Sequence, residues 1–215
     1  MSGWGEFALA FAAFFLSHSI PLRPPIRAAL RRRLGAGGFG LIYSVLSLVV
    51  LGWLIAAAGR APFVEVWPRA GWQTHATLAL MLPVCLLLGL SIGRANPLSF
   101  GGPQAGFDPD RPGIVRLVRH PVLAALAFWA VAHLLPNGDL AHVLLFGTFA
   151  LFALLGRRLV DRRKRRELGA DWEALRRRSR QAPLALELHR LMAGIALYAG
   201  LIAAHPLVIG VSPLP

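Results

Sequence analysis

The sequence predicts an all-α, polytopic membrane helix bundle of about six transmembrane helices, with the N and C termini outside. Three observations lead there. Hydrophobic residues make up 56% of the 215, yet the formal net charge is +13. The positive charge is confined to a few loops, whereas a soluble basic protein spreads it over its surface. The apolar stretches between those loops approach the ~20 residues that a helix needs to cross the hydrocarbon core of a bilayer.

Residues 4–20 form the first span. They lack the basic leader of a signal peptide and read as a retained helix. Pro24-Pro25 and the run Arg31-Arg32-Arg33 then predict a short interfacial helix ending at Gly35. Residues 39–58 are the second span. The loop 61–72 carries Pro62, Trp67, Pro68 and Trp72, and tryptophans near a span end suit the outer interface. Residues 74–92 are the third span, and 96–112 form a loop rich in Gly and Pro with Asp108 and Asp110. Residues 122–135 and 140–156 are the fourth and fifth spans, joined into a hairpin by the tight turn Pro136-Asn137-Gly138-Asp139. Residues 157–179 should be helical with a break near Gly169, their start continuing the fifth span beyond the membrane. Residues 191–209 are the sixth span, and the whole chain reads as a single domain.

Orientation follows from the arginines. Of the 23 Lys and Arg residues, all but Arg60 and Arg69 lie in loops after spans one, three and five or just before span six. The positive-inside rule puts those loops in the cytoplasm. The same rule, with attraction to anionic headgroups, accounts for the basic charge and excludes nucleic acid as a partner. The lone Cys85 excludes an intrachain disulfide. Glu6 is the one acid placed within the spans and reads as a headgroup-level carboxylate. So few buried acids argue against a proton-driven transporter.

Seven histidines are the chemical resource. His18, His120 and His189 fall near the cytoplasmic boundary; His75, His133, His142 and His205 fall toward the outer one. Imidazole ligates metals and haem. No Cys-x-x-Cys-His exists for covalent haem attachment, and no His-Glu-x-x-His, zinc-type cysteine cluster, phosphate loop or serine-hydrolase elbow appears. His120 and His133 on one helix are separated by ~20 Å of rise and cannot ligate the same iron.

Several strings occur in a telling order: Leu16-Ser17-His18-Ser19, Arg119-His120-Pro121, Ala132-His133, Asn137-Gly138, Asp161-Arg162-Arg163, Trp172-Glu173 and Ala204-His205-Pro206. Together they resemble the NnrU family of bacterial membrane proteins, and its plant and cyanobacterial relative the 15-cis-ζ-carotene isomerase, from about Leu9 to the C-terminus. The resemblance implies an inner-membrane protein associated with nitrite and nitric oxide metabolism (denitrification). Through the isomerase it implies a non-covalent haem b, with His18 and His133 as iron ligands. Where the isomerase has a cysteine three residues before the Ala-His histidine, this chain has Ala130, which excludes a thiolate ligand there. The topology sets His18 and His133 toward opposite faces, so sharing one iron requires a shifted, tilted or re-entrant span.

A second resemblance, of Arg119-His120-Pro121 and the segment 161–179 to membrane isoprenylcysteine-type methyltransferases, implies a cytoplasmic S-adenosylmethionine site. The adjacent Glu-Glu of those enzymes is here Asp161-Arg162. As a structural element alone, Arg119-His120-Pro121 is a helix start with Pro at the first position. The expectation is a haem-linked redox or isomerase-type protein in the lipid bilayer. Arg119, His120 and Asp161 shape its cytoplasmic mouth, clustered with Arg162 because the short outer turn makes the inner ends of their two helices neighbours, and a hydrophobic small molecule enters between helices. The methyltransferase-like enzyme and a non-catalytic membrane factor are the alternatives. Nothing in the sequence sets an oligomeric state or names the substrate.

Overall fold

The computed structural model of the chain describes residues 3–100, 105–185 and 187–215. Residues 101–104 of the 96–112 loop lie outside the described residues. The elements of the described residues are helices: α1 Gly3–Ser19, α2 Pro24–Arg60, α3 Gly71–Ser91, α4 Pro121–Leu134, α5 Leu140–Leu168, α6 Ala170–Gln181 and α7 Leu188–Val208, with a 3-10 turn at Gly113–Arg116 and one isolated antiparallel β-bridge between Glu65 and Asp139. Four of these, Gly37–Arg60, α3, α5 and α7, are long and apolar enough to cross a membrane. A fifth span arises if α1 and Pro24–Gly35, bent by 76° at their junction, count as one. Each predicted span has a helix at its place, but α4 with 14 residues is shorter than a full crossing. Side chains such as Leu41, Leu48, Val49, Leu151 and Leu207 are left exposed on these helices. Apolar surface of that kind belongs in lipid.

The helix ends have local causes. Pro24 opens α2, where its missing N–H costs nothing. Gly35 then breaks the helix with a φ of 71°, a backbone geometry that a Cβ disfavours, so the predicted interfacial helix ends where expected. Ala61 closes α2 ahead of Pro62. The Gln73 side chain accepts the Ala70 N–H at 2.8 Å and fixes the start of α3. Asp139 accepts the His142 N–H and its Nδ1, the latter at 2.7 Å, at the start of α5. Gly169, at a φ of 55°, separates α5 from α6 as the sequence suggested.

The chain forms two compact units. The first comprises residues 1–67 and 139–145. In it α1 packs on α2, and Glu6 accepts hydrogen bonds from Arg60 at 2.5 Å and Trp53 Nε1 at 3.2 Å. Glu6 is therefore an ion-pair partner of Arg60, whose side chain is 55% exposed. The Val64 carbonyl accepts the Leu140 N–H, tying the 61–67 loop to the start of α5.

The second unit comprises residues 68–138 and 146–215. Here α3 is central and packs on both α4 and α7. The α3–α7 crossing is made by two glycines. A Cβ on Gly89 would come within 2.6 Å of the Gly194 nitrogen, and one on Gly194 within 2.9 Å of the Cys85 carbonyl oxygen. Small residues at a crossing let helix backbones approach closely, a standard device in lipid. Thr77 adds a hydroxyl bond to the Ala132 carbonyl at 2.8 Å, which joins α3 to α4. The segment between α3 and α4 folds under α6. Leu98, Val115 and Trp172 form a buried cluster there, with Phe107, Leu168 and Leu175 against it.

Candidate functional site

Arg119, His120 and Asp161 come together in the second unit. His120 caps α4 and is 2% exposed. Its Nε2 lies 2.9 Å from Asp161 Oδ1, and its Nδ1 lies 2.9 Å from Ser99 Oγ. An ionised carboxylate only accepts, so Nε2 carries the proton and Nδ1 accepts from the serine hydroxyl. Arg119 donates to both oxygens of Asp161, from Nε at 2.9 Å and from Nη2 at 2.5 Å. Asn96 donates to the Arg119 carbonyl at 3.0 Å and its own Oδ1 accepts the Leu98 N–H. This sets the loop that delivers Ser99. Burial holds the His120 imidazolium pKa below its ordinary value, while the Asp161 carboxylate opposes that shift. Arg162, expected in the same cluster, is exposed, and no hydrogen bond or ion pair joins it to the group among the described residues.

Trp172 of α6 sits over this cluster, 1% exposed. The guanidiniums of Arg119, Arg165 and Arg176 lie 5.5, 4.3 and 5.3 Å from its ring centroid. Cation–π attraction to three arginines holds an indole whose Nε1 has no acceptor among the described residues. Beside it opens a cavity of about 510 Å³, lined by residues of the 3-10 turn, α4, α5 and α6. The sequence flagged Arg119, His120, Asp161 and Trp172. It gave no sign of Ser99 or Asn96, single polar residues in a Gly- and Pro-rich loop.

The two histidines assigned to iron lie in different units. His18, near the end of α1, bonds through Nδ1 to the Phe14 carbonyl at 2.8 Å and stacks on the Phe14 ring at 4.1 Å. His133, near the end of α4, bonds through Nδ1 to the Trp129 carbonyl at 2.9 Å. Its ring lies 5.1 Å from that of Trp129 and 5.4 Å from that of Phe146. In both, the Nδ1–H bond fixes the tautomer and leaves Nε2 as the basic nitrogen, as a ligating imidazole requires. Ala130 is fully buried, and Cys85, also fully buried, is on α3. Among the described residues no group of three or more His, Cys, Asp or Glu side chains could hold a metal ion by itself.

A family model described as NnrU protein matches residues 6–213, nearly the whole chain. No curated protein and no solved structure matches it.

Proposed function

The chain belongs to the NnrU family of membrane proteins, and on that premise we propose that it is a haem b-linked, multi-pass protein of the bacterial inner membrane. It acts on a hydrophobic small molecule by redox or cis–trans isomerase-type chemistry. The observation that supports the haem is the shared state of His18 and His133, each with Nδ1 committed to a backbone carbonyl and Nε2 left basic. A haem held there would supply a redox-active iron and a Lewis acid. The protein's own residues supply the rest. The aromatic rings around His133 fix its plane and keep water away. Arg119, His120 and Asp161 shape the mouth on the basic side, with His120 neutral at pH 7 and able to hold or pass one proton between Asp161 and Ser99.

The S-adenosylmethionine alternative draws no support from the cavity. Its lining includes five arginines and no carboxylate, and Asp161 is already bonded to Arg119 and His120. A sulfonium cation gains nothing in such a field. The test is an absorption spectrum of detergent-purified protein from haem-replete cells. A Soret band is expected, abolished or shifted in His133→Ala and in His18→Ala with the protein still in the membrane. A thiolate-type spectrum, or a band unchanged in both variants, removes the ligand assignment. A colourless wild-type protein removes the haem and leaves a non-catalytic membrane factor in nitrogen-oxide metabolism as the reading to pursue.

A further inference from the structure

The cavity beside Trp172 has features that the haem reading does not use. Arg116, Arg119, Arg157, Arg176 and Arg180 all line it. Two of them are neutralised: Arg119 by Asp161 at 2.5 Å, and Arg176 more loosely by Glu173 at 3.6 Å. Arg116 donates to the Ala182 carbonyl at 2.7 Å and has no carboxylate partner among the described residues. Arg157 and Arg180 have no carboxylate partner among the described residues. The positive-inside rule asks only that arginines lie in a loop. It does not ask that they converge from α5, α6 and the 3-10 turn on one half-open pocket.

A second observation points to a ligand. Ser179 lines the same cavity, is 1% exposed, and its Oγ has no hydrogen-bond partner among the described residues. The Nε of Arg176, also in the lining, is likewise buried and unpartnered. Buried polar atoms in folded proteins are almost always satisfied. An oxyanion is the ligand chemistry that suits a serine hydroxyl and a guanidinium N–H left open beside uncompensated arginines. Guanidinium forks suit phosphate, which they bind in bidentate fashion. Apart from His120 the rest of the wall is apolar, and two of its members, Leu117 and Phe128, are exposed at 60% and 42%. About 510 Å³ is the size of a small-ligand pocket.

We propose that this cavity binds a phosphate-bearing amphiphile. Arg157, Arg180 and Ser179 take the phosphate, and the chain lies along Leu117 and Phe128. The site stands whether or not haem binds elsewhere.

The test is calorimetric titration of the full chain in uncharged detergent with three probes: tetradecyl phosphate, inorganic phosphate and tetradecyltrimethylammonium. Saturable binding of tetradecyl phosphate is expected. It should weaken at least tenfold in Arg157→Gln/Arg180→Gln, and about tenfold in Ser179→Ala through loss of one charge-assisted bond. Arg162→Gln/Arg166→Gln removes the same charge from exposed positions outside the lining and should leave binding unchanged. If the double arginine variant loses helix content by circular dichroism, Ser179→Ala and Arg180→Gln singly carry the test. Inorganic phosphate binding at least tenfold more weakly than tetradecyl phosphate assigns the ligand to the membrane. Comparable affinity assigns a soluble phosphate ester and overturns the lipid part. The site itself is overturned by absent binding, by equal binding of the cationic probe, or by equal weakening in the Arg162/Arg166 control.

Discussion

Asp161→Ala removes the single acceptor shared by Arg119 and His120, and its effect can be sized from the geometry. Two hydrogen bonds from Arg119 and one from His120 are lost. Hydrogen bonds to charged groups contribute about 1.5–3 kcal/mol each. The Arg119 and Asp161 side chains are 25% and 21% exposed, so water recovers part of the arginine contribution. The His120 side chain is 1% exposed, and nothing replaces its acceptor. Together these give a loss of about 3 kcal/mol, on the order of a hundredfold in the unfolding constant. Asp161→Asn keeps an acceptor for Nε2–H and should cost roughly half as much. The pH dependence has a definite sign. The His120 pKa is depressed in the fold from its model-compound value of 6.5. Below that pH the unfolded chain binds the extra proton, so stability falls as pH drops. Asp161 opposes the depression, so its removal should deepen the loss on the acid side. The assay is unfolding by SDS in mixed micelles, followed by far-ultraviolet circular dichroism at several pH values from 8 to 5. A change below about 0.5 kcal/mol, with the pH profile unaltered, would show that Asp161 is solvated and the cluster energetically empty.

Gly89→Ala places a methyl group against the backbone of α7 and should cost about 2 kcal/mol or more. Gly200→Ala, with open space around it, should be neutral or slightly stabilising in the same unfolding assay; equal costs would refute the close crossing. Trp172→Ala should cost about 3–5 kcal/mol and expose the 170–181 segment to protease; an unchanged digestion pattern would mean that α6 is held by other contacts. Reporter fusions after Trp67 and Asn137 should read outside, and those after Gly37, Asp108 and Arg180 inside. An inside signal at Asn137 would break the hairpin of α4 and α5.

Helix positions were legible because composition and turn chemistry act locally. Gly35, Gly169 and the Pro136-Asn137-Gly138-Asp139 turn each punctuate the chain where the structure does. Arg119, His120 and Asp161 were legible as a group because the hairpin brings their helix ends back to one side. What stayed hidden depends on pairings distant in sequence. Glu6 meets Arg60 and Trp53 only through the α1–α2 packing, and nothing local distinguishes it from a headgroup-level acid. Gly89 and Gly194 belong to no motif, and only the crossing of α3 and α7 gives them a role. Arg162 was expected in the cluster from the same meeting of helix ends. Consecutive helical residues point about 100° apart, and that separation leaves it outside.

The burial of Cys85 has a practical side. It is the only thiol in the chain, fully enclosed on α3, with its own carbonyl at the glycine crossing. To a membrane-impermeant, water-soluble maleimide the natural protein is expected to behave as cysteine-free. Reporter cysteines can therefore be placed one at a time in the loops of the unaltered sequence, with the parent as its own blank and no repacking of α3 against α7.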